Sequence, residues 1–341
     1  MKLTTLPGRA WARLVAFVQE REDGRALALT RIIACATVFF HVAHMLTSGA
    51  ALFVWTRASS FGLGNNNGHG LIGALEDILG DDRAAVLSLC ALCLLASLCG
   101  ALGVVTRVSV LMTYATFRAL YGITADARCA YDGLLTNALF LLVLASAGAA
   151  LSLDTLLWRR HPRVRALVGA GDENHLVTRW PRMLLVCQMG FLYGGSALMK
   201  ASSGWVPGGD ASALWYILQQ PLWTRFADLP AWTYPLTQVA TTVVWCFELC
   251  GPLFVLAVFA RESRSARFAR VARVFVPGYL VIGVGMHLGI ELFMEVGAFT
   301  GAALAFYPCA LRPSWGRHSQ PLGVQQNPPA ASRLVASVVN E

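Results

Sequence analysis

Long apolar runs, separated by short basic or polar stretches, dominate the chain. In order they cover about residues 27–47, 84–105, 108–125, 133–152, 183–203, 237–260, 274–294 and 296–311. A helical span needs roughly 17–25 residues, which the runs reach, the last falling a little short. The pattern predicts an all-α fold, a polytopic membrane helical bundle of about eight transmembrane helices. The first run follows a long basic, amphipathic lead-in and keeps Arg31, so it reads as a retained span and not as a signal peptide. The expected organisation is a basic lead-in over 1–26, a transmembrane domain over 27–311 and a tail over 312–341. Gln325, Gln326, Asn327, Pro328 and Pro329 predict disorder in that tail.

Composition agrees with the pattern. The chain is 56% hydrophobic and 13% charged, with mean hydropathy +0.56, whereas soluble domains carry roughly 25% charged residues. A net charge of +8 does not imply a nucleic-acid partner here, because the charge lies between spans, where it sets topology. With the N-terminus in the cytoplasm, the inner segments hold 20 of the 27 basic residues. The outer loops hold only Arg57, Arg83, Arg128 and Arg225. This asymmetry places both termini in the cytoplasm. Arginine recurs at every third residue from 261 to 273, with Phe268 and Val271 between. That spacing fits a helix lying on anionic lipid or a plain basic loop.

Soluble-enzyme chemistry has nowhere to reside. There is no zinc-ligand pattern, Walker loop, dinucleotide fingerprint or G-x-S-x-G. Cys90-Ala-Leu-Cys93 spells C-x-x-C, but on an apolar helix outside any βαβ unit, where thiols behave as small hydrophobes. The ionisable residues inside spans are more informative, since such groups are costly there. Lys200 is one of only two lysines, with Lys2, and it ends the otherwise uncharged run Met183–Lys200. A desolvated lysine can release its proton and act as a base, which arginine cannot. A lysine snorkelling from a helix end is the plainer alternative. Glu248 lies one turn before Pro252, where a proline frees a backbone carbonyl. His287 and Glu291 are four residues apart, and Glu295 follows, so the three share a helical stripe. A histidine–carboxylate pair fixes one imidazole tautomer, and a structural pair between helices fits the same spacing. His41 and His44 are candidates for the same interior, with Arg31 and Arg118 as counter-ions. The outer loop Ala201–Pro235 carries Trp205, Trp215, Trp223 and Trp232, with Asp210 expected to cap a short helix over Ala211–Gln219. Such a loop could roof a cavity for a flat, lipid-soluble ligand, or it could be an interfacial anchoring belt.

The stretch Tyr193-Gly-Gly-Ser-Ala-Leu-Met-Lys200-Ala-Ser-Ser-Gly-Trp205-Val-Pro-Gly208 resembles a motif of the vitamin K-dependent gamma-glutamyl carboxylases and their bacterial relatives, the HTTM (horizontally transferred transmembrane) proteins. Lys200 falls without gaps on the second lysine of that motif, and Met199 stands for the first. Asp132 through Ser152-Leu-Asp154 is similar to the helix running into the family's W-S-L-D signature, with Leu151 for the tryptophan. His287-Leu-Gly-Ile through Val296-Gly297-Ala-Phe299 is similar to its histidine helix. Order and spacing agree over about residues 25–310. The resemblance implies Lys200 as the base acting on a reduced quinone. It also points to His287 and Glu291 as catalytic partners, to Tyr193, Trp205 and Glu248 as cofactor-binding residues, and to a bacterial inner membrane. Two departures stand against protein-glutamate carboxylation. Arg128-Cys-Ala-Tyr-Asp132 replaces the family's Asn-Asn-His run, and the large lumenal domain is missing from this sequence.

Two functional readings follow. One is a carboxylase-like enzyme that uses Lys200 on a quinol or similar lipid-soluble substrate at the outer face. The other is a non-enzymatic membrane partner in the maturation, export or tolerance of a small secreted peptide. The bilayer and a quinone or peptide are the expected partners; the residues themselves name no cofactor. The arginine asymmetry also generates a test. A Ser203→Cys variant should react with an impermeant thiol reagent in intact cells, while a cysteine near Arg163 should be protected. The reverse labelling pattern would invert the topology.

Overall fold

The computed structural model describes residues 6–65, 70–170, 175–226, 229–261 and 266–311. Lys2, Asp228, Arg264 and the tail with Arg312, Arg317 and Arg333 lie outside them, as does the expectation of disorder over 325–329. The fold is helical. Its α-helices are α1 (Leu6–Gln19), α2 (Arg25–Thr47), α3 (Ala50–Trp55), α4 (Gly70–Leu79), α5 (Asp82–Leu102), α6 (Thr106–Ile123), α7 (Ala130–Leu144) and α8 (Leu153–Leu157). There follow α9 (Pro162–Val168), α10 (Trp180–Met199), α11 (Ala213–Ile217), α12 (Tyr234–Leu249), α13 (Gly251–Arg261), α14 (Ala266–Phe293) and α15 (Phe299–Leu304). A small antiparallel pair, β1 (Arg21–Asp23) with β2 (Leu176–Thr178), sets Glu22 opposite Val177.

By length and composition α2, α5 and most of α14 suffice to cross a membrane, and α12 with α13 is apolar enough taken together but bent by 50°, as a broken span or a re-entrant loop is. Three of the expected runs differ from their sequence outlines. The fourth is helical only to Leu144; residues 145–152 turn back and return toward α5. The sixth breaks at Cys250–Gly251, where Pro252 has no amide hydrogen to continue the ladder. The seventh starts eight residues early, at Ala266. Arg267, Arg270 and Arg273 therefore form the first turns of one continuous helix, neither a separate interfacial helix nor a loop.

Hydrogen bonds gather the basic segments at one end. Arg182, fully buried, holds Glu22 through two nitrogens, at 2.5 and 2.9 Å, and donates to the Cys309 carbonyl at 2.9 Å. Arg261 reaches the Ala310 carbonyl at 2.7 Å. Arg31, expected to be a counter-ion, instead donates to the carbonyls of Ala147 and Leu151 at 3.3 and 2.5 Å. A buried cation needs such oxygens, because water cannot reach it. It thereby pins the 145–152 turn. Asp154 accepts from the amides of Val105 and Thr106 and from the Thr106 hydroxyl, at 2.6–2.8 Å, and so caps α6. Gly103, at φ +73°, fits between Ser152 and the Arg31 guanidinium, where any Cβ would collide. The Ser152-Leu-Asp154 signature is thus a helix-capping device here.

At the other end Thr124 donates to the Val54 carbonyl at 2.5 Å, Arg57 pairs with Glu76, and Arg225 contacts the end of α14.

Candidate functional site

Where α10 meets α12 and α13, small residues allow a close approach. A Cβ at Gly251 would press on Tyr193 and on the Gly190 carbonyl, and one at Gly194 would meet Pro252. Glycine at these points lets the two helices touch backbone to side chain. The contact brings the end of α10 against the break that follows α12. Lys200, the C-cap of α10, donates from Nζ to Glu248 Oε1 at 2.5 Å. The Lys200 side chain is 24% exposed and that of Glu248 9%. Nζ also sits 4.7 Å from the centre of the Trp205 ring. Trp245 donates its indole N–H to the Lys200 carbonyl at 3.0 Å and holds the backbone in place. Glu248 Oε2 is buried and has no hydrogen-bond partner among the described residues.

α12 has 16 residues, so Glu248, next to its end, lies about 20 Å along the helix from Tyr234 at 1.5 Å per residue. The pair therefore joins the C-terminal end of α10 to the last turn of α12, far from where α12 starts. The segment after Lys200 packs along α12. Leu214 N donates to Thr241 Oγ1 at 3.3 Å, Gln238 donates to the Asp210 carbonyl at 2.7 Å, and Trp215 stands edge-on to Tyr234 at 5.4 Å. Of the four loop tryptophans, Trp205 covers the lysine, while Trp223 and Trp232 are exposed. The short helix spans only Ala213–Ile217, with Ser212 and not Asp210 at its N-cap, because Ala211 takes φ +49° and breaks the run.

A second polar group lies nearby. The Tyr193 hydroxyl joins His287 Nε2 at 2.7 Å and the Tyr307 hydroxyl at 2.9 Å. His287 is almost fully buried, and its Nδ1 has no partner among the described residues. Thr300 donates to the His287 carbonyl at 3.2 Å. Tyr279, stacked between Phe247 at 4.2 Å and Phe254 at 4.4 Å, donates to the Phe247 carbonyl at 3.2 Å, beside the helix break. Tyr193 stands edge-on at 5.0 Å to Phe247, the residue before Glu248. The two polar groups therefore lie side by side at the helix break.

The expected stripe on α14 divides. His287 points inward to Tyr193, but Glu291 does not pair with it. Glu291 is 40% exposed and accepts from Arg225 at 3.0 Å, and Glu295 lies 3.4 Å from the same arginine. Arg225 comes from the loop before α12, which a reading of α14 alone could not reveal. His41 packs edge-on to Tyr131 at 5.4 Å and Phe117 at 6.3 Å, and His44 is exposed. Neither joins the cluster. Tyr307, Tyr279 and Trp245 are the members that sequence reasoning missed. They are uncharged aromatic residues inside apolar runs, which residue type alone does not set apart.

Tyr193→Phe leaves His287 Nε2 and the Tyr307 hydroxyl short of a buried partner, an expected loss of about 1–3 kcal/mol. Glu291→Gln removes a half-exposed ion pair, for which about 0–1 kcal/mol is expected. Thermal unfolding of the two variants in the same detergent checks this. Equal losses would mean that the tyrosine hydroxyl contributes nothing beyond a surface pair.

Comparison of the chain with family models, curated proteins and solved structures gives no match.

Proposed function

We propose that this protein is a membrane-embedded relative of the carboxylase-like HTTM proteins and that Lys200 acts as a base toward a hydroxyl on a flat, lipid-soluble substrate, a reduced quinone being the reading the resemblance favours. The observation that carries the proposal is the Lys200–Glu248–Trp205 arrangement. A part-buried lysine ends α10 in a bundle whose other described cations are arginines and histidines, beneath an indole ring and next to a carboxylate with one oxygen unpaired among the described residues. In this reading the protein has about eight spans in a bacterial inner membrane, with both termini cytoplasmic and the Trp205 loop outside. The two-ended distribution of arginine supports that topology.

The residues fit a hydroxyl-bearing aromatic ligand. Glu248 Oε2 is free to accept a hydrogen bond, and Trp205 offers an apolar face. The Lys200 amine takes the proton of the bound hydroxyl, breaking its O–H bond and leaving the electron pair on oxygen. The ammonium so formed is stabilised by the Glu248 carboxylate and by the Trp205 ring face. Tyr193, His287 and Tyr307 form a hydrogen-bonded chain beside this pair and offer a route for the proton to leave. Glu291 lies outside the cluster and is assigned to anchoring the Arg225 loop.

One observation favours a second reading. A lysine already paired with a carboxylate at 2.5 Å also suits a purely structural ion pair between α10 and α12. The protein would then be a non-enzymatic partner for a small secreted peptide. Arginine separates the two readings, because it keeps the charge and cannot accept a proton. In a deletion strain with membrane levels checked by blot, Lys200→Arg and Lys200→Ala should both insert normally and fail to restore the phenotype. Mass spectrometry of an organic extract of the purified protein should find a quinone. Full rescue by Lys200→Arg would end the base hypothesis and leave the structural pair.

A further inference from the structure

Between α6 and α7 a groove of about 300 Å3 opens to the outside of the bundle. Arg118, Tyr121, Gly133 and Asn137 line its polar part, and Tyr114 and Phe140 its apolar part. Arg118 is exposed, donates to the Tyr121 hydroxyl at 2.8 Å and lies 5.3 Å from the centre of that ring. Arg128 approaches the same ring at 5.9 Å. Among the described residues no carboxylate pairs with Arg118. Nothing stands within 4 Å of where a Cβ on Gly133 would be, so the groove stays open at that point.

The surroundings are apolar. Leu111 and Met112 on α6, and Phe140 and Leu144 on α7, are large exposed hydrophobic side chains. They are the surface that acyl chains would cover. Arg118 stands five residues before the end of α6, about 7.5 Å along the helix, with the loop that carries Arg128 beyond it. A guanidinium held there without a counter-ion calls for an anion. Its planar fork matches two phosphate oxygens.

We propose that this groove binds one anionic phospholipid, with its phosphate on Arg118 and an acyl chain along Tyr114 and Phe140. The Asn137 amide adds a donor beside the phosphate, and Arg128 adds a second positive charge to the headgroup side. A free phosphate would use the polar part alone. The aromatic continuation of the groove onto the apolar surface selects the lipid. The inference is independent of any role for Lys200.

The test uses the full-length protein in detergent, titrated with dioleoylphosphatidylglycerol or dioleoylphosphatidylcholine, and reads retained lipid by native mass spectrometry. The wild-type protein should retain the phosphatidylglycerol in preference. Arg118→Gln should weaken that retention at least about tenfold, the loss of one charge-assisted contact. Gly133→Leu, which fills the groove and leaves Arg118 in place, should weaken it similarly. Should Arg118→Gln fail to fold, Gly133→Leu decides alone. Equal retention of the two lipids would overturn the proposal, as would a folded variant that keeps the phosphatidylglycerol as the wild type does. Displacement by glycerol 3-phosphate at concentrations comparable to the lipid would show a site for a free anion and refute the lipid.

Discussion

The Lys200–Glu248 ion pair ties the end of α10 to the last turn of α12, where the bent α12–α13 pair breaks. A charge inside an apolar bundle is costly unless an opposite charge or a set of carbonyls receives it. Glu248 stands next to last in α12, about 20 Å from its start, so its partner must come from a neighbouring helix at that depth. Lys200 provides it because α10 stops there and the chain turns into the Trp205 segment. The 50° bend at Gly251 follows from the same place. Pro252 cannot extend the hydrogen-bond ladder, and Gly251 lets Tyr193 press against the break. Tyr193 then carries its hydroxyl to His287 and Tyr307. The polar cluster and the helix break are one arrangement.

The same rule governs the opposite end, with different chemistry. Arg182 is answered by Glu22 and a carbonyl, and Arg31 and Arg261 by carbonyls. Arginine suits these sites because its fork reaches several oxygens and never discharges. Among these described sites the cations held by carbonyls or by Glu22 are arginines, while the C-cap of α10 carries a lysine. That division of labour gives the base hypothesis its physical content.

Much of the helical plan was legible in the sequence, because it rests on apolar runs and on arginine placement. α2, α5 and α14 fall where those runs lie. The early stop of α7 was not legible. It depends on Arg31, remote in sequence, drawing the carbonyls of 147 and 151 out of a helix. Within the site, Lys200, Glu248, Trp205, Tyr193 and His287 could be singled out from residue type and resemblance, and the structure joins the first three to one another and the last two to each other. Their pairing could not. The spacing of His287 and Glu291 offered a local partner, but a loop arginine took the glutamate and a tyrosine from another helix took the histidine. Periodicity along one helix shows which residues share a face, not what packs against it.

The measurement that bears most directly on the central pair is a double-mutant cycle of Lys200→Met and Glu248→Gln, read as thermal or denaturant unfolding in one detergent. If the pair organises the break, each single change leaves the partner's charge or polar group stranded, and the double change recovers part of the loss. The expected coupling is about 0.5–3 kcal/mol. Losses that simply add, with no recovery in the double variant, would contradict the account: Lys200 and Glu248 would then be neighbours without a shared role, and the site would lose its foundation.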